Sequence, residues 1–238
     1  MISRTIVRLG VRSIFGRWRG AILIVLPVIL LGMAVLVRAL VGDDDTAAEN
    51  TLYGLGLVVI VPLIALLATS GLLAPEIDDG SISYLLAKPI SRHTLVASKL
   101  VVALGCVTAF GAVPMLIAGL ILQAGTPSLG VAYAVGTVIS GAAYCALFAL
   151  LSVLTRHAVV IGLIYLLIWE SLLGGLLDGV RWLSITRWSA VVVGDIADVT
   201  LVDDLSLLYA VLATIVTVVA GAWLTGNRLR AFNLTGDE

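Results

Sequence analysis

The sequence predicts an all-α, polytopic membrane protein with six transmembrane helices, and three observations predict it. Of 238 residues, 61% are hydrophobic and 12% charged, with a mean hydropathy of +1.15, outside the range of soluble globular domains. The apolar residues fall into six long runs, each close to the roughly 20 residues that cross about 30 Å of hydrocarbon. Within each run they are continuous rather than alternating, the pattern of a helix and not of a β-barrel strand. A water-soluble enzyme and a disordered chain are excluded by the same composition.

The elements follow in order. Residues 1–19 carry Arg4, Arg8, Arg12, Arg17 and Arg19 and no acid. The first three share a helical face, while Ile2, Ile6, Leu9, Ile14 and Trp18 can face the other way, so an amphipathic interfacial helix is expected. Residues 20–230 form the six-span domain, with runs at Ala21–Val41, Leu52–Ala74, Leu100–Leu122, Val131–Leu154, Ala158–Leu177 and Leu205–Asn227. Residues 231–238 form a tail. Eleven of the 14 basic residues fall on the side that carries both termini, against Arg38, Arg181 and Arg187 on the other. The positive-inside rule therefore places both termini in the cytoplasm of a cell inner or plasma membrane, multi-pass.

Two connections stand out. A cytoplasmic loop at 75–99 contains Asp78 and Asp79, then Ser81 as a helix cap and Ile82, Leu85 and Leu86 as an apolar stripe. Pro89 stops that helix, and Ser91 can cap the next, which carries Arg92 and Lys99. A stripe preceded by acids suits a protein partner better than an anionic bilayer surface. The external segment 178–204 is rich in Trp, Gly and Asp, and its Trp182 and Trp188 favour a membrane interface.

Several chemistries have no residues to carry them. The only lysines are Lys88 and Lys99, and neither stands in a Gly-x-x-x-x-Gly-Lys-Ser/Thr phosphate loop, so no ATP site is expected on this chain. Cys106 and Cys145 lie inside apolar runs and read as small core residues. No metal ligand set is expected, since His93 and His157 sit at span boundaries and the three methionines are scattered. A net charge of −1 offers no surface for nucleic acid. Glu170 is the one acid within a span. Such a carboxylate is expensive, so it is read either as a pathway or gating group or as half of a structural pair with Arg181 or Arg38.

Glu76, Asp79-Gly80-Ser81-Ile82, Tyr84-Leu85-Leu86, Pro89-Ile90-Ser91-Arg92 and Lys99 together resemble the acidic-Gly-Thr/Ser-Leu-x-x-Leu-Leu-x-x-Pro-x-Ser-Arg-...-Lys signature of ABC-2 type transporter permeases. The likeness is nearest to the short stand-alone permeases of the copper-maturation type, and extends to the layout of the whole chain. It implies a permease subunit, not itself an enzyme, that works as an exporter. The loop would be a coupling helix docked on a separate ATPase, with Tyr84, Leu85 and Leu86 inserted and Glu76, Arg92 and Lys99 holding the loop. Two ATPase copies would carry the ATP and magnesium, with no cofactor on this chain, beside a second permease subunit, identical or not, in the lipid bilayer. The resemblance also implies that segment 178–204 forms short re-entrant helices. The residues alone leave open an ion-gradient-driven secondary transporter using Glu170, and a structural or assembly membrane protein. They do not specify a substrate.

Overall fold

A computed structural model describes residues 19–78, 92–122, 127–155, 157–173, 181–199, 201–202 and 204–231, and every regular element among them is helical. They are α1 (Arg19–Val41), α2 (Asp45–Asn50), α3 (Val61–Asp78), α4 (Arg92–Val107), α5 (Val113–Leu122), α6 (Pro127–Leu154), α7 (Ala158–Tyr165), α8 (Ile185–Ala197) and α9 (Leu207–Ala231). Three wider, π-helical segments join or extend them: Thr51–Ile60 leads into α3, Thr108–Ala112 links α4 to α5, and Leu166–Leu173 continues α7.

Proline explains the position of two of these segments. Pro62 and Pro114 each stand two residues beyond a π-helical stretch. Each ring would collide with the carbonyl four residues back, Val58 or Phe110, in a regular α-helix. Widening the helix over those residues is one way to relieve that collision. No proline stands within α7 or Leu166–Leu173, and that segment instead carries Glu170.

Five described helices are long and apolar enough to cross a membrane: Gly20–Val41, Asp45–Leu72, His93–Leu122, Ser128–Leu154 and Leu207–Leu229. Ala158–Glu170 is apolar but shorter, and the end of the expected span Ala158–Leu177 lies outside the described residues. So do the expected interfacial helix, apart from Arg19, and the tail from residue 232. The loop at 75–99 is shorter than its sequence suggests, because α3 continues through Pro75 to Asp78 and α4 already begins at Arg92.

The bundle is centred on α6. Its Gly130, Thr137 and Gly141 meet Gly119, Gly111 and Val107 in turn, so α4 and α5 run antiparallel along it in a continuous register. A Cβ on Gly119 would lie 2.3 Å from the Cα of Gly130, so these two backbones touch only because both residues are glycine. Against another face of α6 runs α8, where Val193 meets Gly136 and Thr186 meets Tyr144. The apolar windows of α3 and α6 are 72% and 61% buried, those of α1 and α9 only 28% and 17%. Hence α3 and α6 form the core, and α1 and α9 present Val28, Leu40, Leu208 and Val216 outward, which only a lipid surface or another apolar surface can cover.

Candidate functional site

Among the described residues, two charged side chains on the apolar helices, Lys99 and Glu170, mark places where chemistry is possible. The first is Lys99 on α4. It is 5% exposed, and its Nζ donates to the Leu72 carbonyl of α3 at 2.7 Å. A buried ammonium is tolerable only when hydrogen-bonded, and this one spans the two helices that lead into and out of the 79–91 stretch. Of the other residues in the expected coupling set, Glu76 lies on the last turn of α3 and Arg92 opens α4, their side chains undescribed. Asp79, Gly80, Ser81, Ile82, Tyr84, Leu85, Leu86 and Pro89 lie outside the described residues. Close by, the ring of His93 sits directly over Gly226 of α9, where a Cβ would come within 2.3 Å of Nδ1.

The second is Glu170. Its Oε1 accepts the backbone N–H of Ile185 at 3.0 Å and the hydroxyl of Tyr165 at 3.4 Å, and its Oε2 accepts the hydroxyl of Ser184 at 2.5 Å. Ser184 is the N-cap of α8, and its Oγ accepts the N–H of Arg187 at 3.3 Å. The first N–H groups of a helix have no partner within it and sit at the positive end of its dipole. Glu170 thus completes the cap of α8 from a different element. Arg38, one of its two expected partners, instead donates to the Leu122 carbonyl at 3.0 Å and pairs with Asp43, tying the end of α1 to the end of α5.

Around the carboxylate stands an aromatic wall. Tyr144 stacks on Phe148, Phe148 meets Tyr165 edge to face, and Tyr165 stacks on Trp169. Tyr53, Tyr144 and Tyr165 all lie within electrostatic range of Glu170. On α8, Arg187 binds Asp204 at 2.5 Å, and the indole N–H of Trp188 donates to the Trp182 carbonyl at 2.8 Å. Trp188 is therefore a packed internal residue at 5% exposure and not the interfacial anchor its composition suggests, whereas Trp182 is half exposed and meets Tyr209 edge to face.

At the other end of α8, Asp198 adopts a left-handed conformation at φ 56° that closes the helix. The turn it makes, together with the start of α9, borders an open cleft of about 340 Å³ lined in part by Val191, Asp195, Asp198, Leu201, Val202 and Leu205. Among the described residues no group of three or more His, Cys, Asp or Glu could hold a metal ion. Both cysteines are buried and free.

Sequence reasoning singled out Glu170 by its charge within an apolar run and Lys99 by its place in the loop signature that ends at span three. It missed Ser184 and Thr186, ordinary residues in a segment read as external, and Asp44, whose Oδ1 caps α2 through the Ala47 N–H at 2.9 Å. A Ser ahead of an apolar run was the available signal for Ser184.

Among curated proteins no match to the chain was found. The profile of ABC-2 family transporter proteins matches residues 17–228. That stretch reaches from the start of α1 into the last turns of α9 and takes in the loop between α3 and α4 and the Glu170 site, and the chain belongs to the ABC-2 family of transporter proteins.

Proposed function

We propose that the chain is the permease subunit of an ATP-driven exporter, powered by a separate ATPase that docks on the 75–99 loop. The family match over residues 17–228 carries this reading, and a sequence without a phosphate-binding loop requires the ATP chemistry to sit on a partner. Two ATPase copies, which bind the ATP and magnesium, act on two permease subunits, either identical or different. Both termini and the 75–99 loop face the cytoplasm, and Ala158–Leu177 completes six spans.

In this reading closure of the ATPases on ATP pushes on Tyr84, Leu85 and Leu86. The push passes to α3 and α4, which the Lys99 to Leu72 bond holds as one unit. Glu76 and Arg92 flank the loop at the two helix ends, and Asp79, Gly80, Ser81, Ile82 and Pro89 shape it.

The test is affinity purification in mild detergent followed by an ATPase assay. The expected result is a co-purifying ATPase, lost when Leu85→Asp and Leu86→Asp are combined while the spans remain inserted. Unchanged co-purification in that double variant would refute docking at the loop, and transport with no ATPase partner would favour the ion-gradient alternative. That alternative is weakened by the engagement of Glu170 with Ser184, Ile185 and Tyr165.

A further inference from the structure

Of the four hydroxyls that line the contact between α6 and α8, two do not bind across it. Ser140 donates to the Gly136 carbonyl on its own helix at 2.9 Å, and Ser189 to the Thr186 carbonyl on its own helix at 2.8 Å. Gly136, Ser140 and Tyr144 recur every four residues and so share one face of α6. Opposite them stand Val193, Ser189 and Thr186, and Ser140 and Ser189 are fully or almost fully buried. Across this seam the hydrogen bond is that of Tyr144 with Thr186 at 2.7 Å. Polar groups already satisfied within their own helices lose little on meeting water, so such a surface can part at low cost.

A charged contact opposes parting at the N-terminal end of α8, where Glu170, on the segment that continues α7 beside α6, receives the Ser184 hydroxyl and the Ile185 N–H. We propose that Glu170 is the latch of a gate: it is a positioning residue that holds α8 against α6, and its release frees α8 to swing and expose the hydroxyl-lined seam. This gives the gating role expected of Glu170 a specific form, in place of a proton site or an ion pair. Calling the movement a gate rests on the transporter reading above. The position of α8 can be read with or without an ATPase partner, so the two readings can fail separately.

The test uses the full chain in membranes with Ser189→Cys as a reporter and a small water-soluble thiol reagent as the probe. The chain without the reporter measures any background from Cys106 and Cys145. Glu170→Gln keeps size and one acceptor oxygen but removes the charge that faces the helix N-terminus, and Ser184→Ala removes the other side of the latch. Labelling of the reporter is expected to quicken by about tenfold in each variant, as loss of charge-assisted hydrogen bonds shifts α8 toward the open position. A second reporter, Val107→Cys, sits in the contact of α4 with α6 and is fully buried; its labelling is expected to stay unchanged. Equal labelling of Ser189→Cys with and without Glu170 would overturn the proposal. A matching rise at Val107→Cys would also overturn it, because the carboxylate would then be stabilising the whole bundle and not holding one helix.

Discussion

The two faces of α6 are built on different physics. Toward α4 and α5, Gly130 and Gly141 accept the Gly119 backbone and the Val107 side chain, and at these positions the contact is van der Waals packing. Toward α8, Gly136 accepts Val193, but the rest of the contact is Ser140, Tyr144, Thr186 and Ser189, closed at one end by Glu170. Packing of the first kind has no low-energy alternative: once backbones touch, any separation leaves a void that nothing fills. Contact of the second kind parts at lower cost, since Ser140 and Ser189 stay satisfied within their own helices and the Tyr144–Thr186 bond is what is given up. One helix thus carries a fixed joint on one side and a releasable joint on the other, the combination a moving bundle requires.

The largest effect is expected from breaking the fixed joint. Gly119→Leu drives a side chain into the Gly130 backbone, so α5 and α6 must separate along their length. A loss of about 3 kcal/mol or more is expected, seen as failure of the chain to accumulate in membranes or as a sharply lowered melting temperature in detergent. A variant that unfolds like the unaltered chain would show that the backbones are not in contact there.

A smaller effect is expected at the releasable joint. Tyr144→Phe removes the one hydroxyl that bonds Thr186 across the seam, and about 1 kcal/mol is expected. Melting should shift only slightly, while reagent access to Ser189→Cys should rise. A loss as large as that of Gly119→Leu would erase the distinction between the two faces.

The smallest effect, with the opposite sign, is expected at Gly105. A Cβ there meets nothing within 4 Å, so Gly105→Ala should stabilise α4 by up to about 1 kcal/mol through helix propensity alone. Destabilisation measured by thermal melting would mean that an undescribed neighbour occupies that space.

Gly105 also shows where reading the sequence stops. Gly105, Gly136 and Gly141 all stand four residues before a second small residue and look alike in sequence. Only Gly136 and Gly141 face another helix, because spacing identifies a face and not what lies against it. The spans were legible for a different reason: a run such as Leu207–Leu229 tolerates no other solvent than hydrocarbon, whatever its neighbours. Glu170 was legible as an anomaly, since a charge within an apolar run is rare for energetic reasons that need no coordinates, and Lys99 was legible from the signature of the 75–99 loop. Their partners were not legible, because the Leu72 carbonyl and the Ile185 N–H are backbone groups that every residue owns. The π-helical segment at Leu166–Leu173 had no proline to announce it.

The sequence by itself determined the solvent of this protein, its helical class and the positions of its long apolar helices, because hydrophobic transfer acts on each segment locally. Its resemblance to ABC-2 permeases also held, through the profile match over residues 17–228. Tertiary structure alone decided which glycines touch, that Trp188 turns inward, and that α8, expected in an external segment, lies along α6 with its first turn held by Glu170. Those outcomes depend on pairs of groups far apart in the chain, such as Glu170 with Ile185 or Lys99 with Leu72. A hydrogen bond to a buried charge is set by where two helices end relative to each other, and no local pattern encodes that.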